Sequence, residues 1–331
     1  MSKNLFLLFS FFALVNSAIA QTSQITTGAG YQKQTYYNLA TGTSKTVAHT
    51  TWDLAFSVYG QQDAGIFVNE AAGSSMGQSL PSTEAYNAPT GNFADVITAA
   101  QVTERLYNTE QNWSYGALNE LRDTSDAFDY GWGKYNFGNN TVEGNKVFVL
   151  KLRDGNFRKV EIQKLALTKY TFRHAALDGT DEKIVTIDKK DFKENTLAYF
   201  SFSAGATVVV EPTDGFDLLF TRYSALLTQG PTTTQYIVAG ILTGRGIQTA
   251  KATGIDPKTV KVADYTSKFS KDIDSIGHDW KSFSLTTNKW SVANDRAYFL
   301  KMKDQTIWKL VFIDFEGSAT GTATFEKTNL G

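Results

Sequence analysis

Leu150-Lys151-Leu152-Arg153-Asp154, continuing through Phe157 to Lys159-Val160, returns 150 residues later as Leu300-Lys301-Met302-Lys303-Asp304, continuing through Ile307 to Lys309-Leu310. Both copies alternate with the two-residue period of a strand. In the first, Val147, Val149 and Lys151 share one face, against Phe148, Leu150 and Leu152. In the second, Tyr298, Leu300 and Met302 oppose Phe299 and Lys301. Asp154-Gly155-Asn156 is a turn signal, so the block reads as a hairpin returning over 157–165. Asp304-Gln305-Thr306 lacks the glycine, which predicts a different turn geometry.

Other blocks repeat in the same order. Tyr37-Asn38-Leu39, Gly42 and Trp52-Asp53-Leu54-Ala55-Phe56 correspond to Phe200-Ser201-Phe202, Gly205 and Phe216-Asp217-Leu218-Leu219-Phe220. Trp132 and Tyr135 correspond to Trp280 and Phe283, and Thr171-Phe172 to Thr324-Phe325. Four blocks in series point to a tandem repeat. The expected division is a signal peptide over 1–20, one β domain over 21–190 and a second over 191–331. The junction falls in the polar run Lys189 to Glu194. The fold class is all-β, mostly antiparallel, with one or two short helices. The helix candidates are 93–107, through Ala94, Ile97 and Ala100, and 258–276, through Val262, Tyr265, Phe269 and Ile273. The stretch 73–92 reads as a long loop.

Lys3, the apolar run Leu5 to Val15 and the small-x-small Ala18-Ile19-Ala20 have the order of an export signal. That places the mature chain, from Gln21, in the periplasm, on the outer surface or outside the cell. The 331 residues include no cysteine. That excludes disulfides, thiolate metal sites, cysteine nucleophiles and a cysteine-linked lipid anchor. A formal net charge of −1 argues against a nucleic-acid partner. No later apolar run reaches the length of a membrane helix.

Asp53 and Asp217 hold equivalent positions, so they read as structural carboxylates beside a turn, not as a glycosidase pair. Asp123, Asp126 and Asp129 lack the spacing of an EF-hand. Residues 240–246 carry three glycines and Arg245 without a phosphate-loop ending, and read as a bend. His49 and His174 read as solvated loop or strand-end histidines. His278 is followed by Asp279, a carboxylate able to fix an imidazole tautomer. Trp113 and Tyr115 have no repeat partner and are the candidates for stacking on a ligand.

Tyr36-Tyr37-Asn38-Leu39, Trp52-Asp53-Leu54-Ala55-Phe56, Trp132 and the run Lys151 to Val160 resemble the HmuY-like family, and the second half repeats the pattern less completely. The resemblance implies exported, mostly β proteins of Bacteroidetes, here as two tandem HmuY-like β domains. It puts Trp52, Leu54 and Phe56 on one face of a strand, toward a core. The founding member is a haemophore that holds haem iron between two histidines. This chain has three histidines, none between Phe56 and Trp132, so that pair is not matched. Met76, in a predicted loop, and His278 are the remaining haem-ligand candidates.

The expectation is a non-enzymatic exported binding protein whose ligand, by resemblance, is haem. The alternatives are a surface adhesion or carbohydrate-binding module with a glycan or protein partner and, behind it, a carboxylate-dependent glycan hydrolase.

Overall fold

The structure is a computed structural model and describes residues 19–61, 63–72 and 82–331. All but the last two residues of the expected signal peptide, and Met76, lie outside the described residues.

Every strand pairing among the described residues is antiparallel, and the chain builds two modules. In the first, the sheet path runs Lys183–Asp188, Lys169–Ala175, Phe157–Ala166, Val147–Lys151, Glu84–Asn87, Arg105–Leu106. It packs against a smaller sheet of Ala206–Val208, Leu197–Ser201, Leu54–Ser57 and Ile66–Val68. Leu54, Phe56, Trp132, Phe148, Leu150, Phe172 and Phe200 fill the space between them. The second module repeats the plan. Gln21–Thr26, Thr322–Asn329, Ile307–Phe315, Arg296–Lys301 and Gln248–Thr253 form one sheet. Thr232–Thr243, Leu218–Gln229, Lys33–Tyr37 and Ser44–Ala48 form the other. Leu218, Phe220, Trp280, Tyr298, Leu300, Phe312 and Phe325 make that core. Burial of each such side chain stabilises the fold by about 1.5–3 kcal/mol, and in the absence of cysteine these cores and ladders hold the chain.

The repeated blocks fall at equivalent places. Trp132 and Trp280 are both buried, and each carbonyl accepts the amide that follows a short hairpin, from Asn145 and Ala293. A register shift interrupts the ladder between Ile162 and Lys164, and again between Phe312 and Asp314. The two hairpin turns do not differ. The Leu152 amide donates to the Asn156 carbonyl and the Gly155 amide to that of Leu152, while Met302, Thr306 and Gln305 make the same pair of bonds. Gln305 takes φ 74° where Gly155 has 85°, because the turn demands the left-handed region whichever residue stands there.

The modules exchange their first strands. Leu197–Ser201, from the second repeat, pairs with Leu54–Ser57 of the first. Lys33–Tyr37, from the first repeat, pairs with Leu218–Gln229 of the second. Gln21–Thr26 closes the second module's sheet beside Thr322–Asn329, as Lys183–Asp188 closes the first beside Lys169–Ala175. Strand pairing therefore runs across the expected 190/191 boundary. Residues 21–48 supply strands to the second module's sheets and 197–208 to the first's, and Tyr36, Leu197 and Tyr199 face a core between them.

Neither expected helix forms. Within 93–107 there is a three-residue 3-10 turn, Ala99–Gln101, and the strand Arg105–Leu106, and 258–276 holds the turn Val262–Tyr265 and a single antiparallel bridge from Ser270 to Thr249. Both segments are flaps. Phe93 and Ile97 cover Val147 and Val149 on the outer face of one sheet, and Val262, Tyr265 and Phe269 cover Phe299 on the other. Each flap is tied by an equivalent lysine. Lys159 Nζ donates to the Asp95 carbonyl at 2.9 Å, and Lys309 Nζ to that of Pro257 at 3.0 Å. The 73–92 stretch holds a strand, Glu84–Asn87, which pairs with Val147–Lys151. Trp52 packs with Ala55 and Tyr199, not with Leu54 and Phe56, because the strand starts only at Leu54.

Candidate functional site

Between the modules lies a third core, built from Tyr36, Trp52, Phe67, Trp113, Tyr199, Leu219, Tyr223 and Leu242. Trp113 is buried there and its Nε1 donates to the Thr243 carbonyl at 2.9 Å. Arg245, from the glycine-rich bend, reaches back across the joint. It pairs with Asp63 at 2.7 Å and donates to the Trp113 carbonyl at 2.7 Å. Trp113 is thus a joint between modules. Tyr115 stands apart, half-buried, with the Arg122 guanidinium 3.9 Å over its ring, so that face is already occupied. The cavity in this joint measures about 70 Å³, which suits a few waters, not an organic ligand. It is flanked by Glu70, whose carboxyl accepts from Asn108 and is pushed up to about 8 by burial.

The larger concavity is a groove of about 580 Å³ at one end of the first module, in the range of organic-ligand pockets. The repeated hairpin forms its rim through Asp154, Asn156 and Phe157, and Phe202 and Ser203 form the opposite wall. Its base is set by Asp53, which is buried and accepts from the Phe202 amide at 2.8 Å and from Thr83 Oγ1 at 3.0 Å. Arg153 pairs with that carboxylate at 2.9 Å and donates to the Trp52 and Thr50 carbonyls. Asp217 repeats the first of these bonds, accepting from the Leu39 amide at 2.7 Å. Both aspartates therefore hold an exchanged strand in place, the structural role expected of them.

Arg158 and His174 lie within the groove. One guanidinium nitrogen of Arg158 lies 2.7 Å from His174 Nδ1, and the other donates to Asp181 at 3.1 Å. A guanidinium only donates, so Nδ1 accepts and the ring proton sits on Nε2. Burial, then the charges of Arg158 and Lys183, push the imidazole down to about 4. His174 is therefore neutral at pH 7 and presents an N–H, not a lone pair, from Nε2. Arg158 Nε is buried without a partner, and Lys183 stands 3.6 Å from Asp181. The groove is lined by Arg153, Arg158, Lys183 and His174 together with Asp53, Asp154 and Asp181, beside two phenylalanine rings.

The same position in the second module is filled. His174 lies opposite Val160 and Lys327 opposite Leu310, while Arg158 lies opposite Leu150 and Trp308 opposite Leu300. Lys327 Nζ donates to the Leu39 carbonyl at 2.5 Å, near the rings of Tyr37 and Trp308. The longer amine and the indole occupy what Arg158 and His174 leave open. The sequence does not single out Arg158, and His174, expected to be a solvated strand-end histidine, is instead buried within the strand Lys169–Ala175. The available signal was their departure from the repeat inside blocks that otherwise match.

The histidines do not gather. His49 is 1% exposed, not solvated, and burial pushes it down to about 3. His278 is half-buried beside Trp280 in the second module and is lowered by burial and by Lys281. Asp279 pairs with Lys251 and Arg296, so it does not orient His278. Asp123, Asp126 and Asp129 cap their own turns by accepting from Ser125, Phe128 and Gly131. No cluster of three metal-ligating side chains occurs among the described residues, and none of their helices is long and apolar enough to cross a membrane.

Residues 30–174 match the family described as HmuY protein. No curated protein matches the chain. Among solved structures, apo PinO from Porphyromonas gingivitis aligns at 9% identity over 95% of this chain and 99% of that one, with a TM-score of 0.28. The apo HmuY analog of Tannerella forsythia aligns at 10% identity over 96% and 98%, with a TM-score of 0.20. Superpositions this loose add nothing to the family match.

Proposed function

We propose that this chain, HmuY-like over residues 30–174, is an exported protein that captures a small organic ligand in the first module's groove and does no chemistry on it. The observation that carries this reading is the contrast between the modules. The two modules share a plan; in the first the groove lies beneath the hairpin at Arg158 and His174, while at that place in the second Lys327 Nζ donates to the Leu39 carbonyl beside Trp308. The groove offers N–H donors from Arg158 and His174 and apolar faces from Phe157 and Phe202. It suits a flat ligand bearing carboxylates, which a guanidinium recognises well.

Haem, the ligand of the family's founding member, has that chemistry in its propionates. The tautomer of His174 favours recognition through those carboxylates over an iron–imidazole bond. The test is a titration of the protein with haemin and with metal-free protoporphyrin, followed by absorbance. Both are expected to bind with similar affinity, and both to be lost in the double variant Arg158→Trp, His174→Lys, which carries the second module's residues. Binding of neither tetrapyrrole, or binding that survives the double variant, overturns the assignment. Binding of haemin alone would mean iron ligation, to be located by substituting Met76 and His278.

A further inference from the structure

A second surface of the first module carries an unassigned site. The hairpin Gly133–Asn136 and Thr141–Gly144 carries Tyr135, which packs on the core, and Phe137 at its tip, and Phe128 from the preceding segment joins them. Phe137 is 66% exposed and Phe128 45%. Their centroids are 4.6 Å apart, with Tyr135 5.1 Å from Phe137 and 6.1 Å from Phe128. The cluster is fixed before any partner arrives. The Tyr135 amide donates to the Phe128 carbonyl at 3.0 Å, and the Tyr135 hydroxyl donates to Asn140 at 3.1 Å. An open concavity of about 540 Å³ adjoins the rings, lined by Tyr135, Phe137, Asn136, Glu143 and Asn145. Glu143 accepts from Asn136 and Asn139, which keeps it ionised as an acceptor.

Exposed aromatic rings bordered by amides and a carboxylate match a pyranose with equatorial hydroxyls. Such a sugar has an apolar C–H face to lay on a ring and an edge of hydroxyls that both donate and accept. The other occupants fit less well. A lipid surface calls for basic residues, and Lys134, the cation here, is paired with Asp126 at 3.1 Å. A second copy of the chain needs a total buried area of roughly 1,000 Å², and three partly exposed rings fall well short of it. The second module supplies a contrast. Phe283, at the position of Tyr135, meets Trp290, and Trp290 packs on Phe315 of the core. There Trp290 lies between the hairpin and the core, whereas here Tyr135 meets the core and Phe137 and Phe128 stay exposed.

We infer that the Phe128–Tyr135–Phe137 cluster and its amide rim form a carbohydrate-binding platform for β-linked pyranose oligosaccharides, separate from the ligand groove. The test is saturation-transfer NMR and calorimetry of the protein with cellohexaose and with chitohexaose. At least one is expected to bind, with transfer strongest to ring C–H protons. Phe137→Ala and Phe128→Ala are expected to weaken binding roughly tenfold each, while Phe157→Ala in the groove leaves it unchanged. All three side chains are at least partly exposed, and a thermal melt checks each fold. Absence of binding to both sugars, or binding indifferent to Phe137 and Phe128, overturns the inference. So does self-association, or binding to anionic vesicles, that disappears with Phe137→Ala in place of sugar binding.

Discussion

His174 in the first module and Lys327 in the second stand at the same point of the ladder, opposite Val160 and Leu310, yet one borders a groove and the other plugs it. The exchange Lys327→His with Trp308→Arg should open the second module as its counterpart closes the first. The expected result is a second binding event in calorimetry with whichever tetrapyrrole binds the native protein. A stoichiometry that stays at the native value, with the fold intact, would count against the two residues as the determinants.

Asp53 and Asp217 hold the exchanged strands alike but not equally. Asp53→Ala strips the partner from the nearly buried Arg153 and should cost about 3–5 kcal/mol. Asp217→Ala removes one bond to a backbone amide and should cost about 1–2 kcal/mol. Urea unfolding of the two variants gives the ratio, and equal losses would contradict the pairing with Arg153.

The turn at Gln305 holds an ordinary side chain at φ 74°. Gln305→Gly should stabilise by about 1 kcal/mol, and Gly155→Gln should destabilise by a similar amount. The check is a pair of thermal melts, in which the two variants must move in opposite directions.

Two buried groups make stability pH-dependent with opposite signs. His49 falls from 6.5 to about 3 in the folded state, so its contribution is complete above pH 6.5. It is lost as pH falls toward 3, where the unfolded chain takes the proton first. Glu70 rises from 4.5 to about 8, so its contribution is complete below pH 4.5 and is lost as pH rises toward 8. Glu70→Gln should therefore gain stability relative to the native chain at pH 8.5 and gain nothing at pH 4.5. A Tm difference that is flat across this range would show that Glu70 is ionised when folded.

The all-β class, the repeated hairpin and the structural role of the two aspartates were legible because each rests on local pattern. Alternation at Phe148 and Leu150, the Asp154 turn and the matched Trp132 and Trp280 all lie within short stretches. The helices were misread at 93–107 and 258–276 because apolar residues that cover a sheet face can fall at helical spacing by chance. Strand exchange was illegible, since Leu54 pairs equally well with Tyr37 or Phe200 as far as sequence shows, and only the closure of the cores decides. The groove was missed for the same reason. Arg158 and His174 are sixteen residues apart, and their meeting depends on strand register. Trp113, expected to stack on a ligand, is buried against Phe67 and, edge to face, Phe216 of the chain itself.

The pairing of Gln21–Thr26 with Thr322–Asn329 has a consequence for how the molecule is made. A ribosome releases the first of these strands long before the last, so the second module has no complete sheet until Thr322–Asn329 is made. The first module, whose strands run without interruption from Leu54 to Val208, can close earlier. With its partner strand about 300 residues away in the sequence, Gln21–Thr26 stays unpaired during most of synthesis. The second module is then the last part to become resistant to proteases, and a truncation at the C-terminus should release residues 21–48 as an unprotected tail.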